Sequence, residues 1–203
     1  MPTTLINLSR LHTQILATKH LIIIAGANGS GKTTFAVPYV KELGYDFLNA
    51  DMITKRLEEE GQKNALMKAG RIFFNRLNKN LEGGVNFVVE TTLSGSYINK
   101  VAVKAKQKRY KITVIYIFLE TPQLCVERVR SRVLKGGHDV PEEAIIRRFF
   151  RSKNNFWDNF TVLATEWVLL YNGAKGFQNV AIGSSEKYRI ENEGLFNNFF
   201  ETL

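Results

Sequence analysis

The sequence predicts an α/β fold, a parallel sheet with helices on both faces, and three observations carry that prediction. Apolar runs alternate with amphipathic stretches from His20 to about Tyr171, which is the pattern of strands joined by crossover helices. The first run, Leu21-Ile22-Ile23-Ile24-Ala25, leads directly into Gly26-Ala27-Asn28-Gly29-Ser30-Gly31-Lys32-Thr33. Behind that glycine-rich turn, Lys32 to Leu43 reads as an amphipathic helix, so the turn lies between a strand and a helix.

The elements follow in order. Strands are expected at 20–25, 46–50, 85–91, 112–119 and 166–171, with a weaker one at 178–183. Helices are expected near 32–43, 52–60, 64–81, 96–109, 122–134 and 141–155. Gly83-Gly84 marks the turn into strand 85–91. Gly136-Gly137-His138-Asp139-Val140-Pro141 breaks one helix, and Pro141-Glu142-Glu143 starts the next. Leu195, Phe196, Phe199 and Phe200 suggest a closing helix over 193–203. Arg10, His12 and Lys19 among spaced Leu and Ile suit a short amphipathic helix in the first twenty residues rather than a signal peptide. Residues 1–203 read as a single domain with a core at about 20–172 and a tail, 173–203, packing on it.

Composition narrows the function classes. At 44% hydrophobic and 23% charged residues the chain reads as globular, and its apolar runs are far shorter than a membrane span. The single cysteine, Cys125, forms no internal disulfide and suits a buried position in a reducing, cytoplasmic protein. The net charge is +9. Lys104, Lys106, Lys108, Arg109 and Lys111 read as a solvated face near a helix C-terminus. No aromatic-interleaved basic motif supports nucleic-acid binding, whereas attraction of polyanionic small substrates explains the sign of the charge.

The turn at 26–33 has the spacing of a phosphate-binding loop, which points to a P-loop NTPase fold and to a nucleoside triphosphate. Backbone N–H groups of Gly26, Ala27, Asn28, Gly29, Ser30 and Gly31 are placed to surround the phosphates, with Thr34 completing the loop. Lys32 reaches the β- and γ-phosphates, and Thr33 holds Mg²⁺. Ligands of open α/β sheets bind beyond the carboxyl ends of strands, so the residues there carry the chemistry. Asp51 suits both a helix N-cap and a general base for an acceptor hydroxyl, roles that compete for its carboxylate oxygens without excluding each other. Glu90 is placed to hold Mg²⁺ through water or to bond the acceptor, with Thr92 close behind it. Arg128 and Arg132 share a helix face, and Arg147, Arg148 and Arg151 gather on the next helix. A glycine hinge between two arginine-bearing helices is what a closing lid requires, with His138 inside the hinge.

These segments resemble a known family. The P-loop, Asn49-Ala50-Asp51, Glu90-Thr91-Thr92-Leu93-Ser94, Glu127-Arg128-Val129, Arg132-Val133 and Gly136-Gly137-His138-Asp139-Val140-Pro141 look like the zeta toxin family of P-loop kinases, over about His20 to Asn172. The resemblance implies a fold of the nucleoside monophosphate kinase type and ATP-dependent phosphotransfer. In characterised toxins of that family the acceptor is the 3′-hydroxyl of the amino sugar in UDP-N-acetylglucosamine, and an antitoxin is the partner to look for. By position, Lys32 and Thr33 match the loop residues, Asp51 the catalytic base, Glu90 and Thr92 substrate-side groups, and Arg128 a transition-state arginine. Two departures stand out. Met52-Ile53-Thr54-Lys55 follows Asp51 where those toxins carry Phe-Arg, and their second lid arginine falls near His138, leaving His138, Arg132 or Arg147 for its role. The reading is therefore a small-molecule kinase using ATP and Mg²⁺. The alternative is a P-loop ATPase or GTPase acting as a regulatory or nucleic-acid-processing protein. No Asn-Lys-x-Asp segment follows the fourth strand to read guanine.

Overall fold

The structure is a computed structural model that describes residues 18–201. The amphipathic helix expected in the first twenty residues falls almost wholly outside that span, as do the last two residues of the closing helix. The central sheet has seven strands in the order β2-β3-β1-β4-β5-β6-β7: β1 His20–Ala25, β2 Asp46–Leu48, β3 Phe87–Thr91, β4 Lys111–Phe118, β5 Glu166–Gly173, β6 Gly176–Gly183 and β7 Tyr188–Ile190. Between them lie α1 Lys32–Leu43, α2 Ala50–Glu59, α3 Ala65–Gly83, α4 Tyr97–Gln107, α5 Pro122–Val133 and α6 Glu142–Asn155. A π-helical turn, Phe156–Phe160, continues α6 into the short α7, Thr161–Leu163, and α8, Glu193–Glu201, comes last.

Burial of β1 on both faces explains why it reads as an unbroken apolar run. Leu21, Ile23 and Ala25 face the larger core with Phe87, Val89, Leu77 and Ala102, beneath α3 and α4. Ile22 and Ile24 face the opposite side and pack on Phe35, Ala36 and Tyr39 of α1. The closing helix lies in the larger core, where Phe196 and Phe199 are buried and the Lys153 ammonium donates to the Phe199 carbonyl. A separate cluster of Cys125, Val129, Val140, Ile145 and Phe149 joins α5 to α6, and the Arg130–Glu142 ion pair links their outer faces at 2.6 Å. Cys125 is buried as expected, and burial pushes its thiol up to about 12.

β2, β3, β1, β4 and β5 are mutually parallel. The far edge departs from expectation. β6 pairs antiparallel with β5 through the two-residue turn between Gly173 and Gly176, and β7 pairs antiparallel with β6. A turn that short cannot make the crossover a parallel pair needs. β7 was not foreseen, because three residues facing largely outward carry no alternation. β2 stops at Leu48 rather than residue 50, and α2 begins at Ala50. No helix among the described residues is long and apolar enough to cross a membrane.

Candidate active site

The chain leaves β1 and runs to β2, beyond β3, before returning, so β1 lies between β3 and β4 with its carboxyl end open. The phosphate-binding loop fills that opening. Gly26 has φ +145°, and a Cβ there would come within 2.1 Å of the Ile117 carbonyl oxygen. At Gly31, φ +92°, a Cβ would come within 2.3 Å of Asn172 Nδ2. Both positions therefore require glycine, the first because fixed backbone leaves no room. Lys32 is buried, and its ammonium donates to the Ala27 carbonyl at 2.9 Å. Burial lowers its pKa, and the carboxylates of Glu90 and Asp51 oppose that shift.

Glu90 on β3 joins three elements. Thr33 Oγ1 donates to Glu90 Oε1 at 2.8 Å, and Asn49 Nδ2 donates to Oε2 at 2.7 Å. Burial raises the Glu90 pKa, opposed by Lys32 and by the bonds from Thr33 and Asn49. With its proton committed to Glu90, the Thr33 hydroxyl keeps lone pairs free for a cation. A hydroxyl backed by a carboxylate is an oxygen donor set that fits Mg²⁺, which takes few protein ligands when phosphates and water supply the rest. Glu90 is thus placed to orient Thr33 and to reach the ion through water.

Asn49 takes the capping role weighed for Asp51. Its Oδ1 accepts from the Met52 N–H at 3.0 Å, so Asn49 caps α2 and Asp51 does not. Asp51 sits in the first turn of α2, exposed, with its carboxylate on the wall of a cavity of about 680 Å³. The P-loop, Glu90 and Thr92 line the same cavity.

Three guanidinium groups line it from α5 and α6. Arg128 Nη2 donates to the Asn172 carbonyl at 2.9 Å, and Asn172 Nδ2 donates to the Ser30 carbonyl at 2.9 Å, which ties α5 and the end of β5 to the loop. Arg132 Nη2 donates to the His138 carbonyl at 2.6 Å, and Arg148 Nη1 to Asn28 Oδ1 at 3.2 Å. The His138 side chain is exposed and off this cavity wall, while its backbone carbonyl accepts from Arg132. Arg147 and Arg151 are likewise exposed and off the wall, so Arg148 is the α6 arginine that reaches the site. Sequence reasoning assigned no role to Asn49 or Asn172. Asn49 had a signal, since Asn precedes the helix and caps as well as Asp. Asn172 had none beyond its place at a strand end.

Residues 21–151 match the family described as an AAA domain, a span from β1 into α6 that holds every loop, carboxylate and arginine of the site. The chain belongs to the AAA domain family. An uncharacterized protein of Haemophilus influenzae is 26% identical over 128 residues, 63% of this chain and 91% of its own length. Among solved structures, the AvrRxo1-ORF1:-ORF2 complex with ATP matches with a TM-score of 0.71 at 18% identity, over 92% of this chain and 64% of that one. The chain thus spans just under two thirds of that protein. The PezAT toxin-antitoxin system of Streptococcus pneumoniae matches with a TM-score of 0.61 at 18% identity, over 91% of this chain and 78% of that one. At these identities the likeness is one of fold.

Proposed function

We propose that this AAA domain chain is an ATP-dependent phosphotransferase of the zeta toxin type, moving the γ-phosphoryl group to a hydroxyl of a small molecule. The observation that carries the reading is the placement of Asp51 on the same cavity wall system as Lys32, the Thr33–Glu90 pair and three arginines. Asp51 is free of the capping role, which leaves its carboxylate available as the base that takes the proton of an acceptor hydroxyl.

The acceptor hydroxyl oxygen forms the new bond to the γ-phosphorus while the bond from that phosphorus to the β–γ bridging oxygen breaks. ADP departs, and the acceptor proton passes to the Asp51 carboxylate. Lys32 exchanges the Ala27 carbonyl for β- and γ-phosphate oxygens. Arg128, Arg132 and Arg148 meet the charge spread over the transferring group. Thr33, with Glu90 acting through water, would hold Mg²⁺, which would neutralise part of the phosphate charge.

The AvrRxo1 complex with ATP supports nucleotide use, and both structural relatives are named with a second component, which supports an antitoxin-like protein partner here. Use of ATP supports a cytoplasmic location. UDP-N-acetylglucosamine is the acceptor put forward by the sequence resemblance. The test is transfer of labelled γ-phosphate to a panel of hydroxyl compounds that includes it, with Lys32→Ala as control. Label appearing on an acceptor in wild type and vanishing in the control supports the reading; equal transfer by Lys32→Ala overturns it.

A further inference from the structure

Arg128 and Arg132 border a second cleft as well as the cavity beside the P-loop. This cleft has a volume of about 340 Å³, and three parts of the chain meet around it. α2 supplies Lys55, α5 supplies both arginines and Ser131, and the break between α5 and α6 supplies Lys135, Gly136 and Gly137. Lys55, Ser131 and Lys135 line this cleft and not the first one.

Its lining holds four cations and no acid. Like charges gathered in this way repel one another unless a counterion joins them, and the chain offers little relief. Lys55 has Glu59 at 3.8 Å, a largely exposed pair of the kind that contributes little. Lys135 has no acidic partner among the described residues. Each arginine gives one donor to backbone, Arg128 to the Asn172 carbonyl and Arg132 to the His138 carbonyl. A guanidinium carries more N–H groups than that, so both keep donors for a ligand. Arg132 Nε is also buried without a hydrogen-bond partner, and a buried donor left in that state is costly. The arginine is held in place by the chain beside it. A Cβ on Gly137 would come within 2.5 Å of Arg132 Cγ and 3.0 Å of its carbonyl oxygen, so glycine is what lets the backbone press against the arginine stem.

We propose that this cleft binds a small phosphate-type oxyanion carrying two negative charges, separately from the nucleotide, and that its occupation restrains the reaction. The planar forks of the arginines each span two oxygens of a tetrahedral anion, the lysines add point charge, and the Ser131 hydroxyl donates a further bond. A monocarboxylate balances less of the charge and brings fewer acceptors. The restraint follows from the sharing of Arg128 and Arg132 between the two cavities. Donors engaged by an anion in the second are withheld from the transferring group in the first. The binding stands on the cleft alone; the restraint rests on the phosphotransferase reading.

The probe is inorganic phosphate, titrated by calorimetry into the full chain saturated with Mg²⁺ and the non-hydrolysable analogue AMP-PNP, which closes the P-loop to it. Ionic strength is held constant with chloride, and acetate is the monocarboxylate control. Phosphate is expected to bind with a single equivalent, and acetate about tenfold or more weaker. Lys55→Ala/Lys135→Ala should weaken phosphate about tenfold or more, because two charge-assisted contacts are removed, while AMP-PNP affinity stays within about twofold. Phosphate should also slow ADP formation at saturating ATP about twofold or more in wild type. The double variant should form ADP at the wild-type rate with or without phosphate. The site is overturned if phosphate does not bind the nucleotide-loaded chain, if acetate binds equally well, or if the double variant binds phosphate as wild type does. Binding controlled by the two lysines with ADP formation indifferent to phosphate overturns the restraint. A chain that neither binds AMP-PNP nor forms ADP overturns the phosphotransferase reading instead, and phosphate titration of wild type against the double variant still decides the cleft.

Discussion

Replacing Asp51 with Asn separates catalysis from helix capping, because the structure assigns the cap to another residue. Asn49 already satisfies the Met52 N–H, so Asp51→Asn removes no capping bond. It removes one exposed carboxylate from the first turn of α2, a loss of about 0.3–1 kcal/mol through the helix dipole. For a chain of this size that lowers Tm by no more than about 4 °C. If the carboxylate is the base, kcat should fall by about 10²–10⁴, equivalent to about 3–5 kcal/mol in the barrier. Affinity for AMP-PNP should hold within a few fold, since no nucleotide contact is assigned to Asp51. Asn49→Ala should behave in the opposite way. It loses the cap, about 1 kcal/mol, and one of the two donors to Glu90, so Tm falls further while Asp51 remains. The assays are scanning calorimetry and initial rates of ADP formation with the acceptor found by γ-phosphate transfer. Wild-type kcat in Asp51→Asn would refute the reasoning, as would a melting loss equal to that of Asn49→Ala.

Three further outcomes are expected. Lys32→Ala should abolish turnover and weaken AMP-PNP binding at least tenfold by calorimetry while the chain stays folded, because the ammonium's hydrogen bond among the described residues is to the Ala27 carbonyl and the side chain lines the cavity rather than the apolar core. Arg128→Ala should lower kcat more than it raises the KM for ATP, and Arg128→Lys should recover only part of the loss, since an ammonium lacks the planar fork that spans two oxygens; steady-state kinetics decide this. Glu90→Gln should change the pH dependence of stability. Burial holds the Glu90 carboxyl above its ordinary 4.5, so the folded chain binds this proton more tightly than the unfolded one. The stabilisation is full below 4.5 and is lost as pH climbs through the raised value. The stability of Glu90→Gln relative to wild type should therefore grow as pH rises from 4.5 and then level off, measured by urea melts across pH, while Mg²⁺-dependent turnover falls.

The parts of the site written in the sequence are those set by short stretches of chain. The P-loop was legible because its glycines, lysine and threonine are adjacent and lie between an apolar strand and a helix. Glu90 was legible because it stands near the end of an apolar strand, and Arg128 and Arg132 because four residues along a helix return to the same face. The parallel strands followed from apolar runs separated by helix-length segments. Tertiary structure alone decided the rest. Arg147 and Arg148 are neighbours in sequence but about 100° apart around α6, so only the packing of Ile145 and Phe149 against α5 fixes which guanidinium reaches Asn28. Asn172 meets Ser30 across 142 positions of chain, a pairing no local pattern encodes. His138 is exposed, and it meets Arg132 through its backbone carbonyl rather than its ring. Asn49 and Asp51 are equally good caps by residue type; the end of β2 at Leu48 gave the cap to Asn49 and left the Asp51 carboxylate for the cavity. Sequence fixes what a residue can do within a few positions of itself, and long-range packing selects which of the chemically equivalent neighbours does it.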